Sequence, residues 1–193
     1  MSHDTREINR SSDPFADTTR RWLFGYGSLI WKADFAYAAR RPARLHGWER
    51  RFWQGSHDHR GTPQAPGRVL TLVEAPGARC LGMAYSIGAD VLEALDLREK
   101  NGYLRVIASL EFDDGERAQG LVYIATADNA AWLGPAADEV IARHVAGAAG
   151  PSGSNRDYVL HLADALRGLG AEDAHVFAVE RRLRALQPEA TTQ

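Results

Sequence analysis

The first apolar cluster of the chain is Trp22-Leu23-Phe24, which runs unbroken into Gly25 and Tyr26. A short apolar run stopped by glycine predicts a buried strand ending in a tight loop over residues 25–28. Residues 44–53 mix large apolar and basic side chains, which predicts a second strand. Residues 57–67 carry two prolines and two glycines and read as a long loop. Residues 68–74 and 79–87 read as two further strands, with Ala75-Pro76-Gly77-Ala78 as a hairpin turn between them. Residues 104–112 and 117–126 read as a second hairpin around Asp113-Asp114-Gly115-Glu116, because Asp-Gly is a strong turn signal.

Helical patterns fall between and after these strands. Asp90 is suited to cap a helix running to about residue 100. Residues 138–146 read as a helix stopped by Gly147. Residues 154–169 open with a capping box, Ser154 and Asp157, and end before Gly170. A last helix is expected over residues 174–186. Hairpins with helices grouped later argue against a repeating βαβ array. They predict an α+β domain around an antiparallel, barrel-like sheet with surrounding helices.

Composition narrows the function classes. A chain of 193 residues suits one domain with a proper core. Its 23 basic and 25 acidic residues give a formal charge of −2, which offers no electrostatic footprint for nucleic acid and no basic membrane patch. No stretch is apolar for long enough to span a bilayer. Residues 1–20 are polar and charged, and are expected to be a disordered leader. Residues 21–186 are expected to form a single domain, and residues 187–193 a disordered tail. The lone cysteine, Cys80, excludes an internal disulfide and a multi-cysteine zinc site, and fits a cytoplasmic setting.

Four segments carry residues suited to chemistry. The loop from Phe24 through Gly25, Tyr26, Gly27, Ser28 and Leu29 to Trp31 can expose backbone N–H groups to a carboxylate or an oxyanion, because two glycines leave no Cβ in the way. The competing reading is an ordinary turn. In Arg98-Glu99, Glu99 lies seven and four residues beyond Leu92 and Leu95, so a helix draws it toward the apolar side. A carboxylate held there has its charged form desolvated and its pKa raised, which suits a general base. The competing reading is a surface glutamate paired with Arg98 or Lys100. In the loop 57–67, His57 and His59 have the look of a metal pair without a third ligand nearby, while Arg60 suits a substrate carboxylate. Residues 150–158 feed a glycine-rich loop into a helix, where capping alone explains Ser154 and Asp157. Tyr158, one turn in, faces either a cleft or the core. Cys80 reads as a buried thiol. The sequence lacks a Gly-x-Ser-x-Gly elbow, a P-loop and a dinucleotide fingerprint.

Taken together, Phe24-Gly25-Tyr26-Gly27-Ser28-Leu29-Ile30-Trp31, His59-Arg60-Gly61-Thr62-Pro63 with Ala65-Pro66-Gly67, Arg98-Glu99 with Gly102-Tyr103, and residues 150–158 occur in the order and spacing of one family. From about residue 23 to residue 169 the chain resembles the ChaC family of glutathione-specific γ-glutamylcyclotransferases. The resemblance implies a γ-glutamylcyclotransferase-like fold. It also implies cleavage of glutathione to 5-oxoproline and cysteinylglycine, with no metal or organic cofactor. The family's acid/base glutamate, placed after the fourth or so strand, falls on Glu99. Its substrate loop falls on residues 25–29, with Phe24 beside it, and Arg60 and Tyr158 are the further substrate-binding candidates. Two alternatives stay open: a cyclotransferase for other γ-glutamyl compounds, and a non-catalytic γ-glutamyl-binding module. The sequence leaves the oligomeric state open.

Overall fold

The structure, a computed structural model, describes residues 4–11 and 21–186. Five strands form a closed barrel: β1 (Arg21–Gly25), β2 (Ala39–Ser56), β3 (Gly67–Ile87), β4 (Tyr103–Phe112) and β5 (Arg117–Ala125). Their order around the barrel is β1-β3-β2-β4-β5. All neighbours run antiparallel except β1 and β5, which close the barrel as a parallel pair with Leu23 opposite Leu121. The expected antiparallel, barrel-like sheet is present, and its one parallel pair lies at the seam. Partners roughly a hundred residues apart leave no local trace in the sequence.

The expected hairpin at residues 75–78 is corrected. Residues 67–87 form one strand, and β2 pairs with it on both sides of that segment. Between the pairs His46↔Arg79 and Trp48↔Glu74, residues 75–78 bulge outward opposite Gly47. Gly47 and Gly77 take φ of 80° and 86°, which only glycine adopts without strain. The turn chemistry is genuine, but both flanks share one partner, so the chain bulges instead of reversing.

The unbroken apolar run of β1 follows from burial on both faces. Successive side chains of a strand point to opposite sides. Phe24 enters the main core, with Leu45, Phe52, Leu72, Leu110 and Phe112. Leu23 enters a second cluster with Met83, Tyr85, Leu92 and Leu95. The second cluster sits under α2 (Ala89–Arg98), which follows β3. Three helices cover the main core: α3 (Asp138–Gly147), α4 (Asn155–Gly168) and α5 (Ala174–Ala185). Ser154 Oγ accepts from the Asp157 N–H at 2.9 Å, as the capping motif predicts. Gly170 (φ 68°) stops α4 while the Ala171 N–H returns to Leu166 O. Asp173 caps α5 by accepting from Val176 N–H at 3.0 Å. At α2 the cap position is Gly88, and Asp90 sits in the first turn. Two short strands, β6 (Ala149–Gly150) and β7 (Gly153–Ser154), pair within the glycine-rich loop before α4.

The disordered leader is corrected in part. Residues 6–11 form a short helix, α1 (Arg6–Ser11), and Thr5 and Asn9 are fully buried. Polarity misled the reading here, because the segment docks through hydrogen bonds to backbone and not through an apolar face. The rest of the leader and the tail after residue 186 lie outside the described residues.

One buried polar cluster ties α2 to the barrel. Arg105 Nε donates to Asp96 Oδ1 at 2.8 Å, Arg105 Nη2 pairs with Asp96 Oδ2, and Tyr123 Oη donates to Asp96 Oδ1 at 2.7 Å. The Asp96 and Arg105 side chains are 2% and 4% exposed, so their charges are compensated by each other and not by water. Replacing Asp96 with Ala removes the carboxylate opposite a buried guanidinium. Urea denaturation is expected to show a loss of about 3–5 kcal/mol; a loss below about 1 kcal/mol would assign this cluster no part in stability.

Candidate active site

The barrel topology brings the chemical segments to one end. β1 runs parallel to β5 with Phe24 opposite Val122, while β4 starts with Tyr103 opposite Ala125. The loop leaving β1 and the turn entering β4 therefore emerge together. Between them lies a cavity of about 400 Å³. Phe24, Gly25, Tyr26, Gly27, Ser28, Leu29, Arg60, Glu99 and Tyr158 all line it.

The loop after β1 is held from several directions. Ser28 to Ile30 make a 3₁₀ turn, with the Ile30 N–H donating to Gly27 O at 3.0 Å. Such a first turn leaves N–H groups over, and those of Gly27, Ser28 and Leu29 have no backbone acceptor among the described residues. Gly25 is required by space. A Cβ there would meet the Leu29 Cβ at 2.5 Å. Arg50, 2% exposed in its side chain, donates from Nε to Tyr26 O at 2.7 Å and pairs through Nη1 with Asp173 Oδ2 at 3.1 Å. Tyr85 Oη donates to Leu29 O at 2.6 Å, and Tyr26 Oη to Tyr123 O at 2.8 Å.

Glu99 is the residue just past α2, and its N–H donates to Leu95 O at 2.8 Å. It caps the end of the helix and lines the cavity together with Leu95, four residues before it. Its side chain keeps 20% exposure. Burial pushes its pKa up, opposed first by the Arg98 charge and then by His59, with Asp58 adding a smaller upward push. Arg98 Nε lies 3.3 Å from Glu99 Oε1, its Nη2 donates to Ser28 Oγ at 2.9 Å, and its Nη1 to Asp34 Oδ1 at 2.8 Å. The guanidinium thus links the carboxylate to the loop.

Arg60 reaches the cavity from the loop between β2 and β3. Its N–H donates to Ser56 Oγ at 2.9 Å, and its Nη1 to Ser154 O at 3.3 Å. Its guanidinium carbon stands 5.4 Å from the Tyr158 ring centroid. Burial lowers its pKa from the ordinary arginine value. Two glycine-bearing loops meet backbone to backbone beside it. The Ser152 N–H donates to His59 O at 2.9 Å, and a Cβ on Gly150 would come within 2.5 Å of Gly61 O. Tyr158 is 6% exposed, and burial pushes its phenol up to about 12. Its rim at the cavity and its ring in the core answer both halves of the sequence question.

Tyr103, Arg98 and His59 also line the cavity, and the sequence did not single them out for substrate. Tyr103 donates from Oη to Leu70 O at 2.6 Å. Arg98 entered only as a surface partner of Glu99. His59, read as half of a metal pair, has Nδ1 3.0 Å from Ser152 Oγ. A polar side chain next to a glycine-rich turn, as in Gly102-Tyr103, was the available signal for Tyr103. Cys80 is buried, and desolvation pushes its thiol up to about 11. No helix among the described residues is long and apolar enough to cross a membrane.

Comparison with known proteins agrees with this architecture. The family model described as ChaC-like protein matches residues 21–186, which leaves residues 4–11 outside it. The chain is 42% identical over 181 residues to γ-glutamylcyclotransferase 2-3 of Arabidopsis thaliana, covering 88% of this chain and 91% of that one. It is 39% identical over 187 residues to glutathione-specific γ-glutamylcyclotransferase 1 of Danio rerio, covering 91% of this chain and 95% of that one. The crystal structure of a yeast γ-glutamylcyclotransferase specific to glutathione superimposes with a TM-score of 0.83 at 30% identity, over 91% of this chain and all of that one. With a family model over the whole barrel and its covering helices, and relatives this similar along nearly their full lengths, the chain belongs to the ChaC family.

Proposed function

We propose that the protein cleaves glutathione to 5-oxoproline and cysteinylglycine, with Glu99 as the single acid/base. The observation that carries this reading is a half-buried carboxylate with a raised pKa, facing a glycine-lined loop across one small cavity. The names of the relatives support the substrate.

In the reaction, the Glu99 carboxylate takes a proton from the γ-glutamyl α-ammonium. The freed amine attacks the γ-carbonyl carbon and closes a five-membered ring. The reacting groups belong to one molecule, so the protein has to fold the substrate and not bring two together. The former amide C–N bond then breaks. Its nitrogen, the amine of cysteinylglycine, takes the proton back from Glu99, which then relays the second proton shed by the ring nitrogen, so that the lactam keeps one N–H and the product amine leaves as an ammonium. Atoms balance without water, and no metal or organic cofactor enters. The N–H groups at Gly27, Ser28 and Leu29 are suited to the α-carboxylate or to the oxyanion of the tetrahedral intermediate. Phe24, Gly25 and Tyr26 shape that wall. Arg60, stacked on Tyr158, offers a cation to a carboxylate of the substrate. The lone buried Cys80 supports a reducing, cytoplasmic setting. A preference for other γ-glutamyl compounds is the second enzymatic reading; no feature of the cavity favours it.

Glu99→Gln is expected to lower 5-oxoproline release from glutathione about a hundredfold or more while the fold and substrate binding persist. Unchanged turnover would remove Glu99 from the chemistry. Activity on γ-glutamyl-alanine alone would overturn the glutathione reading.

Because the base must be ionised, kcat/KM is expected to rise with pH through a midpoint above the ordinary glutamate range. Arg98→Gln removes the charge that pulls this pKa down, so the midpoint should move further up. A downward move in a pH–rate profile would contradict the assignment.

Gly25→Ala is expected to push the loop off Leu29, to cost up to about a hundredfold in kcat/KM and to lower stability by about 1–3 kcal/mol while the chain still folds. Wild-type kinetics from this variant would detach the loop from catalysis.

A further inference from the structure

Residues 4–11 lie outside the cavity and outside the family match, yet they bond to the segment that carries Glu99. The Thr5 N–H donates to Lys100 O at 3.1 Å, and Thr5 Oγ1 donates to Tyr103 O at 2.7 Å. Asn9 Nδ2 donates to the same Tyr103 O at 3.1 Å, and Asn9 Oδ1 accepts the Arg105 N–H at 2.8 Å. Asp4 forms a β-bridge with Asn101. Thr5 and Asn9 both have 0% exposure, so these are desolvated bonds and not fluctuating surface contacts.

The topology explains why such a partner is needed. β4 pairs with β5 along its whole length, but β2 pairs with it only at Ala43, Leu45 and the residue between them. The first residues of β4 therefore present an open edge. Backbone groups on a buried edge need partners, and residues 4–11 supply them. The turn so fastened is short. The Tyr103 N–H donates to Glu99 O at 3.3 Å, and Gly102 takes φ 88° with the Asn129 side chain packed where a Cβ would go. Among the described residues, the 3.3 Å contact with Arg98 is the one polar contact on the Glu99 carboxylate, so the backbone of this turn sets where the carboxylate stands.

We propose that Thr5 and Asn9 are positioning residues for Glu99, acting as a strap that fixes the turn between α2 and β4. Among the described residues, the hydrogen bonds of Thr5 and Asn9 reach Lys100, Tyr103 and Arg105 and not the substrate loop or Arg60, so their contribution falls on the chemical step and not on substrate capture. This inference rests on the reading of Glu99 as the base.

The test uses the full chain with Thr5→Val, Asn9→Leu and Thr5→Ser. The first two keep volume and remove hydrogen-bonding groups; the third keeps the hydroxyl. Thr5→Val and Asn9→Leu are each expected to lower kcat about tenfold with KM within about threefold. Their acid limb should shift down toward the ordinary glutamate range, as a loosened carboxylate gains water. Thr5→Ser should restore both kcat and the limb. Amide hydrogen exchange at residues 100–105 should quicken in the first two variants and not in the third. Unchanged kcat and limb in folded Thr5→Val and Asn9→Leu would overturn the strap, as would a loss that Thr5→Ser fails to restore. If the wild-type chain makes no 5-oxoproline, the reading of Glu99 has failed, while unchanged exchange at residues 100–105 would refute the strap by itself.

Discussion

The single parallel pair in the sheet, β1 against β5, is the constraint on which the site depends. Closing the barrel in that sense sends the end of β1 and the start of β4 to the same rim. An antiparallel closure would carry the glycine loop to the opposite end from Glu99. The pair is short, with Trp22, Leu23 and Phe24 opposite Gly120, Leu121 and Val122, and it is secured by what it buries. Leu23, Phe24, Leu121 and Val122 are all essentially inaccessible. At about 25 cal/mol per Å² of apolar surface removed from water, four such side chains supply several kcal/mol to hold the seam. Gly120 lets the backbones approach there: a Cβ on it would come within 3.2 Å of Trp22 O and strike the Leu110 side chain at 2.6 Å. On the β3 side of β1, a Cβ at Gly82 would come within 2.5 Å of Gly25 O.

On that rim, the properties of Glu99 come from a balance. Desolvation raises its pKa, and the charges of Arg98 and His59 restrain the rise. The role proposed for Glu99 asks for a carboxylate that is ionised when substrate arrives and basic enough to take an ammonium proton, and such a balance serves both ends. The same Arg98 also holds Ser28, so the charge that tunes the carboxylate also sets its distance from the loop. On the far side, Arg50 joins the loop's Tyr26 carbonyl to Asp173 at the cap of α5. α5 thereby bears on the cavity wall through one buried guanidinium.

Much of this was legible in the sequence where the signal is local. The capping motif of α4, the β4–β5 hairpin around Asp113 to Glu116 and the apolar run of β1 all act within a few residues. The cavity residues Phe24 to Leu29, Arg60, Glu99 and Tyr158 were legible through motif order. What stayed hidden depends on distant partners. Residues 75–78 have turn chemistry, but only the long ladder with β2 turns it into a bulge. Thr5 and Asn9 look like parts of a polar tail because their partners are backbone atoms about a hundred positions away. Arg98 is an ordinary helix-end arginine until the barrel brings Ser28 and Asp34 beside it.

The most direct test of the central claim is a crystal structure of the Glu99→Gln protein with glutathione bound. The account expects the γ-glutamyl amine within about 3 Å of the residue 99 side chain, in line with its own γ-carbonyl carbon. It also expects the α-carboxylate or the γ-carbonyl oxygen on the N–H groups at residues 27–29. A γ-glutamyl group lying outside the cavity, or one whose amine points away from residue 99, would contradict it.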